Sequence, residues 1–186
     1  ELIIDFDIEE ADKQEEIKLL LDNLRNLLKH IESEYSLDLR YIRINFSGHK
    51  GFHIRIPAVL FGGFIPSKNL PSQIKLLVKE LLGGMKFDPK IYSHIFYIRY
   101  VNSRNSKSGL CAMPLTAKEI FTLSIEEIKS LANEPREIEY FPVEELEPNI
   151  DLVSLKTKIF SQPDSFKADI SKVELDEEDP IWSGVA

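Results

Sequence analysis

Three short motifs follow one another along the chain: Asp5-Phe6-Asp7, Ser47-Gly48-His49-Lys50-Gly51-Phe52-His53 and Phe87-Asp88. Carboxylates at i and i+2 on a strand point to one face, and both can offer oxygen to a hard divalent cation such as Mg²⁺ or Mn²⁺. Two such ions about 3.5–4 Å apart serve the attacking hydroxyl and the departing pyrophosphate respectively. Asp88, at the start of another element, is the expected third ligand. Gly48 and Gly51 let the backbone approach a phosphate closely, Ser47 adds a hydroxyl, and Lys50 and His53 can bind triphosphate oxygens. These are the parts that hold a nucleoside triphosphate on metal, and the chemistry they indicate is nucleotidyl transfer. By itself the Asp-x-Asp is the least specific part, since it recurs in nucleases, glycosyltransferases and surface loops. His53 by itself fits a triphosphate ligand and a strand histidine with a local hydrogen bond equally well, and His49 at the loop tip reads as solvent-exposed or as a backbone contact.

The elements that must position these groups can be read from periodicity. Leu2 to Asp7 is a strand with Ile4 and Phe6 opposite the two carboxylates. From about Ala11 to Ser33, Ile17, Leu20, Leu21, Leu24, Leu28 and Ile31 recur at helical spacing, with His30 at the boundary. Tyr41 to Phe46 and Phe52 to Ile56 alternate as two half-buried strands joined by the Ser47–Gly51 turn. This hairpin carries Asn45, Ser47, His53 and Arg55 on its polar side. Pro57 ends the second strand, 60–64 reads as a loop, and a helix from Ser72 stops at Gly83-Gly84. Ile95 to Val101 reads as a strand, followed by a polar turn and a short extended run from Gly109 to Met113. Thr116/Glu119 and Ser124/Glu127 both match the capping box, so two short helices should follow and end near Asn133.

Composition sets the outer bounds. The chain of 186 residues is 43% apolar, enough to bury an ordinary core. Its single Cys111 leaves no disulfide framework or multi-cysteine zinc knuckle within these residues, so a bound metal would rely on carboxylates. No run of about 18 apolar residues occurs, and no membrane partner is expected. A reducing compartment suits this composition: cytoplasmic, or nuclear in a eukaryote. The chain opens on Glu1 within a strand-like run and without Met, from which an upstream segment is expected to be missing.

The net charge of −8 hides an uneven distribution. Residues 136–186 hold 5 Lys+Arg against 13 Asp+Glu, so they carry the whole excess and residues 1–135 sum to zero. Residues 41–110 hold 11 Lys+Arg against only Glu80 and Asp88, a balance of +9. Such a basic middle suits phosphate handling, although a solvated Lys-rich surface has the same composition. The expected organisation is a catalytic core over 1–135 and an acidic linker or packed C-terminal extension over 136–186.

The motifs together resemble those of the archaeo-eukaryotic primases and their primase-polymerase relatives. Members carry a hydrophobic strand ending in Asp-x-Asp, then a segment like S-G-x-K-G-x-H, then a hydrophobic residue followed by Asp. These correspond to Asp5-Phe6-Asp7, Ser47 to His53 and Phe87-Asp88. Archaeal-type small primases continue with an arginine, an N/G-S-x-x-x-K-T-G-L-like segment and a Pro-Leu pair. Here these are Arg99, Asn102 to Leu110 and Pro114-Leu115. The resemblance covers roughly residues 1–135. It departs at Asn105, where many relatives carry His or Arg, and at Cys111, which has no partners for the zinc site some primases hold.

The resemblance implies an α+β fold with an RRM-like antiparallel sheet carrying the active site, flanked by helices. It implies catalytic metal carboxylates at Asp5, Asp7 and Asp88, with two Mg²⁺ or Mn²⁺ ions. Ser47, Lys50 and His53 would bind the incoming nucleotide, and Ser103 and Lys107 would hold its triphosphate. The implied activity is that of a DNA primase or DNA-directed polymerase acting on NTPs or dNTPs over a single-stranded DNA template, with replication, repair or defence proteins as partners. A repair or end-joining polymerase of the same superfamily, and a non-catalytic single-stranded nucleic-acid-binding module, are the alternatives. The module would need exposed aromatics for base stacking, whereas Phe46, Phe52 and Tyr97 fall largely on alternating apolar faces.

Overall fold

The computed structural model describes residues 1–7, 14–85, 87–92 and 98–162. Within them the chain is α+β: a four-stranded antiparallel sheet and five α-helices. The strands are β1 (Leu2–Asp7), β2 (Arg43–Phe46), β3 (Gly51–Ile56) and β4 (Met113–Leu115), in the order β1-β3-β2-β4. The helices are α1 (Gln14–Tyr35), α2 (Leu70–Leu81), α3 (Ala117–Thr122), α4 (Ile125–Leu131) and α5 (Ile150–Phe160). None of the helices among the described residues is long and apolar enough to cross a membrane.

Strict alternation makes the sheet two-faced. Leu2, Ile4 and Phe6 of β1, Ile44 and Phe46 of β2, Phe52, Ile54 and Ile56 of β3, and Met113 and Leu115 of β4 are all almost completely buried. They join Leu24, Leu28 and Ile31 of α1, Leu77 and Leu81 of α2, and Leu152 and Ile159 of α5 in one continuous core. Truncating one of its buried phenylalanines to Ala would cost about 3–5 kcal/mol, so this face commits the register and thereby the groups on the opposite face.

Local signals account for most helix ends. Both capping boxes form: Thr116 and Ser124 accept from the amides of Glu119 and Glu127, whose carboxylates return to the cap residues. Arg25 ties α1 to the end of α3, its Nε donating to the carbonyl of Ile120 at 2.8 Å and its Nη2 to that of Leu123 at 2.7 Å. These carbonyls, left open at the end of α3, thereby gain a charged donor.

Two regions differ from the periodicity reading. Residues 150–160, expected to be irregular, form α5, because the Asn149 side chain accepts from the amides of Asp151 and Leu152 and thus starts a helix. Asn149 also bonds the carbonyl of Tyr35, so the segment beyond Pro135 packs on the rest of the chain. The expected strand over 95–101 lies outside the described residues at 95–97, and residues 98–101 are not in a strand.

Candidate active site

The polar face of the sheet places the first two motifs side by side. Asp5 of β1 is opposite His53 of β3, which is opposite Asn45 of β2, which is opposite Pro114 of β4. Asp7 pairs with Gly51, and Arg55 lies between Ile3 and Arg43 in the flanking row. Gly51 is demanded by this arrangement: a Cβ there would meet the Oδ1 of Asp7 and the carbonyl of Phe6, each at 2.8 Å. Lys50, next along, sets its Nζ 3.3 Å from Oδ2 of Asp7.

Asp88 reaches the same place from a remote segment. Its backbone N–H donates to the carbonyl of Asp5 at 3.0 Å, while its carboxylate accepts from the amide of Lys90 at 2.9 Å and opens a 3-10 turn over Pro89–Tyr92. Tyr92 closes the turn onto β1 by donating its hydroxyl to the carbonyl of Ile3, and its ring meets Phe87 edge-on. The 87–92 segment thus covers the outer edge of β1, which the sheet leaves open.

The carboxylates feel one another. Burial pushes the pKa of Asp5 up to about 7, reinforced by the charges of Asp7 and then Asp88 and opposed by Lys50. Burial and the nearby Asp5 likewise push the Tyr92 hydroxyl up. Hard oxygen donors of like charge set around a buried carboxylate are groups whose repulsion a divalent cation such as Mg²⁺ or Mn²⁺ would relieve. Among the described residues no group of three or more His, Cys, Asp or Glu side chains is placed to hold a metal ion. The charges of Asp7 and Asp88 act on Asp5 through space.

His53 is neutral at physiological pH. Burial, then Arg55 and Arg99, push its pKa down to about 4. Its Nε2 lies 3.8 Å from Oδ1 of Asp5, too far for a hydrogen bond, and its buried Nδ1 has no partner among the described residues. A buried imidazole nitrogen with nothing to bond is costly in a purely structural role. The Nε of Arg55 is buried and unpartnered in the same way.

The turn between β2 and β3 is closed by Ser47, whose N–H donates to the carbonyl of Gly51 at 2.8 Å and whose Oγ accepts from the amide of Gly51 at 3.1 Å. The hydroxyl proton is left to donate. Gly48 takes φ +79°, and a Cβ on it would lie 2.9 Å from the carbonyl oxygen of Leu110. Across this contact Ser108 donates its hydroxyl to the carbonyl of Gly48. The fourth motif is thereby clasped to the second.

Asn105 organises that loop. It is buried, its N–H donates to the carbonyl of Leu110, its carbonyl accepts from Gly109, and its Oδ1 accepts from the amide of Lys107 at 2.9 Å. The Lys107 side chain is exposed. Ser103 gives its hydroxyl to the carbonyl of Tyr100 at 2.6 Å. Neither side chain has a recorded contact with Asp5, Asp7, Asp88 or His53, so these two residues join the site through the loop clasp alone. His49 is half-buried.

Tyr92 and Tyr140 were not singled out by motif or periodicity. Tyr140 carries the guanidinium of Arg43 over its ring at 5.1 Å and brings its hydroxyl to 3.5 Å from Oδ1 of Asn45. Its segment is anchored by Arg136, which forks onto both oxygens of Glu119 at 2.8 Å. Tyr140 follows Glu137-Ile138-Glu139, a local context that carries no motif. Two grooves, of about 240 Å³ beside Gly63 and Phe64 and about 420 Å³ beside Arg40 and Tyr140, include none of Asp5, Asp7, Asp88 or His53. Compared with protein-family models, with curated proteins and with solved structures, the chain gave no match.

Proposed function

We propose that this chain is a nucleotidyltransferase domain of the primase-polymerase kind, extending or initiating a nucleic-acid strand on a single-stranded template. The observation that carries the reading is the meeting of three remote motifs at the end of one sheet face: Asp5 and Asp7 on β1, Asp88 bonded to the Asp5 main chain, and His53 opposite Asp5. The antiparallel sheet with one helix-covered face and one polar face supports the corresponding fold.

Asp5, Asp7 and Asp88 would hold Mg²⁺ or Mn²⁺, which when bound supplies charge neutralisation for the attacking oxygen and the departing pyrophosphate. The protein's own contribution is positioning and electrostatics, with no covalent enzyme intermediate. Lys50 offers a cation beside the carboxylates. Neutral His53, its Nε2 3.8 Å from Asp5, can offer a hydrogen bond to the nucleotide without adding charge. Ser47 holds the turn shut while keeping a hydroxyl proton available, and Ser103 and Lys107 belong to the loop that closes against it.

The test is Mg²⁺- or Mn²⁺-dependent incorporation of labelled nucleotides by the wild type and by Asp5→Ala/Asp7→Ala. The double variant should remain folded and lose incorporation; equal activity in the two proteins overturns the proposal. Dinucleotide synthesis on a primer-free single-stranded template identifies a primase, and extension without initiation identifies a repair-type polymerase.

A further inference from the structure

Five large apolar side chains stand exposed among the described residues, and Tyr100 is the one aromatic among them, at 82%. It does not sit on a slack loop. Its carbonyl accepts from both the amide and the hydroxyl of Ser103, at 3.1 and 2.6 Å. Asn102 donates its N–H to the carbonyl of Ala112 at 2.7 Å, and Ala112 returns a bond to the carbonyl of Ser103 at 2.9 Å. The Asn102 side chain, on a residue held at φ +66°, bonds the backbone of Arg136 in both directions, at 2.9 and 3.1 Å. The ring is therefore carried beside a turn held by several hydrogen bonds, which reduces the backbone freedom lost on contact.

The surroundings are basic. Residues 98–110 contain Arg99, Arg104 and Lys107 and no carboxylate. Arg104 is 56% exposed and faces Glu134, itself 82% exposed, at 3.7 Å. A pair between groups so open to water is weak, and a phosphate can displace it. Ser108 of the same loop donates its hydroxyl to the carbonyl of Gly48, so the loop adjoins the turn that carries Ser47 and Lys50.

We propose that Tyr100 is a stacking platform for an unpaired base of a single-stranded nucleic acid, with Arg104 receiving an adjacent phosphate. Exposed aromatics flanked by cations bind single strands in this way because every base presents a π face. A duplex hides those faces. The inference rests on the nucleotidyl-transfer reading, for which it names where the strand lies, and it concerns binding without catalysis.

The test is fluorescence anisotropy with labelled oligo(dT), at fixed salt and without nucleotide or divalent metal. Tyr100→Ala should weaken binding roughly ten-fold or more, and Tyr100→Trp should retain it. Arg104→Ala should lower the slope of log affinity against log salt by about one unit. Binding is read without nucleotide or metal and incorporation with both, so loss of binding in Tyr100→Ala and loss of incorporation in Asp5→Ala/Asp7→Ala are separate outcomes. Unchanged binding by Tyr100→Ala, no binding by the wild type, or a duplex bound as tightly as the single strand overturns the proposal.

Discussion

Asp88 donates its backbone N–H to the carbonyl oxygen of Asp5 at 3.0 Å. The third carboxylate is thus tied to the first by main chain, independently of its own side chain. Asp88→Asn should keep this tether and stay within about 0.5 kcal/mol of wild-type stability. Incorporation should nevertheless fall by about 10²-fold or more, because a charge stabilising the reacting centre is gone. Chemical denaturation and a single-turnover assay on the same preparation check both halves.

Asp5 carries a destabilising charge when ionised. Its folded pKa is raised from 3.8 to about 7, so the folded state binds more protons than the unfolded state between these values. Ionisation therefore destabilises the fold, beginning near the lower value and reaching its full extent above about pH 7. The side chain is only 14% exposed, and the full effect is on the order of 4 kcal/mol. Asp5→Asn at pH 8 without divalent metal should raise the melting temperature, while abolishing the further rise that Mn²⁺ gives the wild type. A lower melting temperature in Asp5→Asn would refute this.

His53 has the opposite linkage. Its folded pKa is lowered from 6.5 to about 4, so the unfolded state binds more protons in this window. Its contribution to stability is complete above about pH 6.5 and is lost as pH falls toward 4. In the wild type this offsets the gain from protonating Asp5. His53→Gln should therefore become relatively more stable on acidification from pH 6.5 to 4, and Asp5→Asn relatively less. Urea midpoints across that range should diverge in those directions.

The glycines of the site are not equivalent. Gly51→Ala forces a Cβ against Asp7 and the Phe6 carbonyl at 2.8 Å, whereas nothing lies within 4 Å of a Cβ at Gly109, whose φ is +76°. Gly109→Ala should cost only the backbone penalty, about 1 kcal/mol. Gly51→Ala should displace Asp7 and reduce incorporation far more than Gly109→Ala does. Equal activities in the two variants would show that the Asp7–Gly51 contact is not needed.

Substrate affinity tests the loop clasp and the exposed lysine together. Lys107→Ala should chiefly raise the apparent KM for nucleotide. Ser108→Ala removes the bond to the Gly48 carbonyl and should raise KM in the same direction, with about 1 kcal/mol lost in stability. An unchanged KM in Lys107→Ala counts against its triphosphate role.

Much of the site was legible because its determinants are local. Alternation alone put Asp5 and Asp7 on one face and His53 and Arg55 on another strand's polar side, and the side chains of Thr116 and Ser124 announced two helix starts. Other elements were not legible for equally physical reasons. The helix expected from Ser72 begins at Leu70 after Asn69, since Pro71 is well suited to a first turn. In α5 a single capping Asn outweighs an acidic, proline-flanked context. Asn105, a departure from the motif the chain resembles, is a buried organiser of its loop.

By itself, the sequence determined which side chains share a strand face, because a period of two follows from backbone geometry without reference to the rest of the chain. Only the tertiary structure decided that Asp88 meets Asp5, that Ser108 clasps Gly48, and that Tyr92 seals the edge of β1. Each is a bond between segments far apart in the chain, at a place created by the strand order β1-β3-β2-β4. Such contacts depend on how the apolar faces of all the elements pack together, which no short motif encodes.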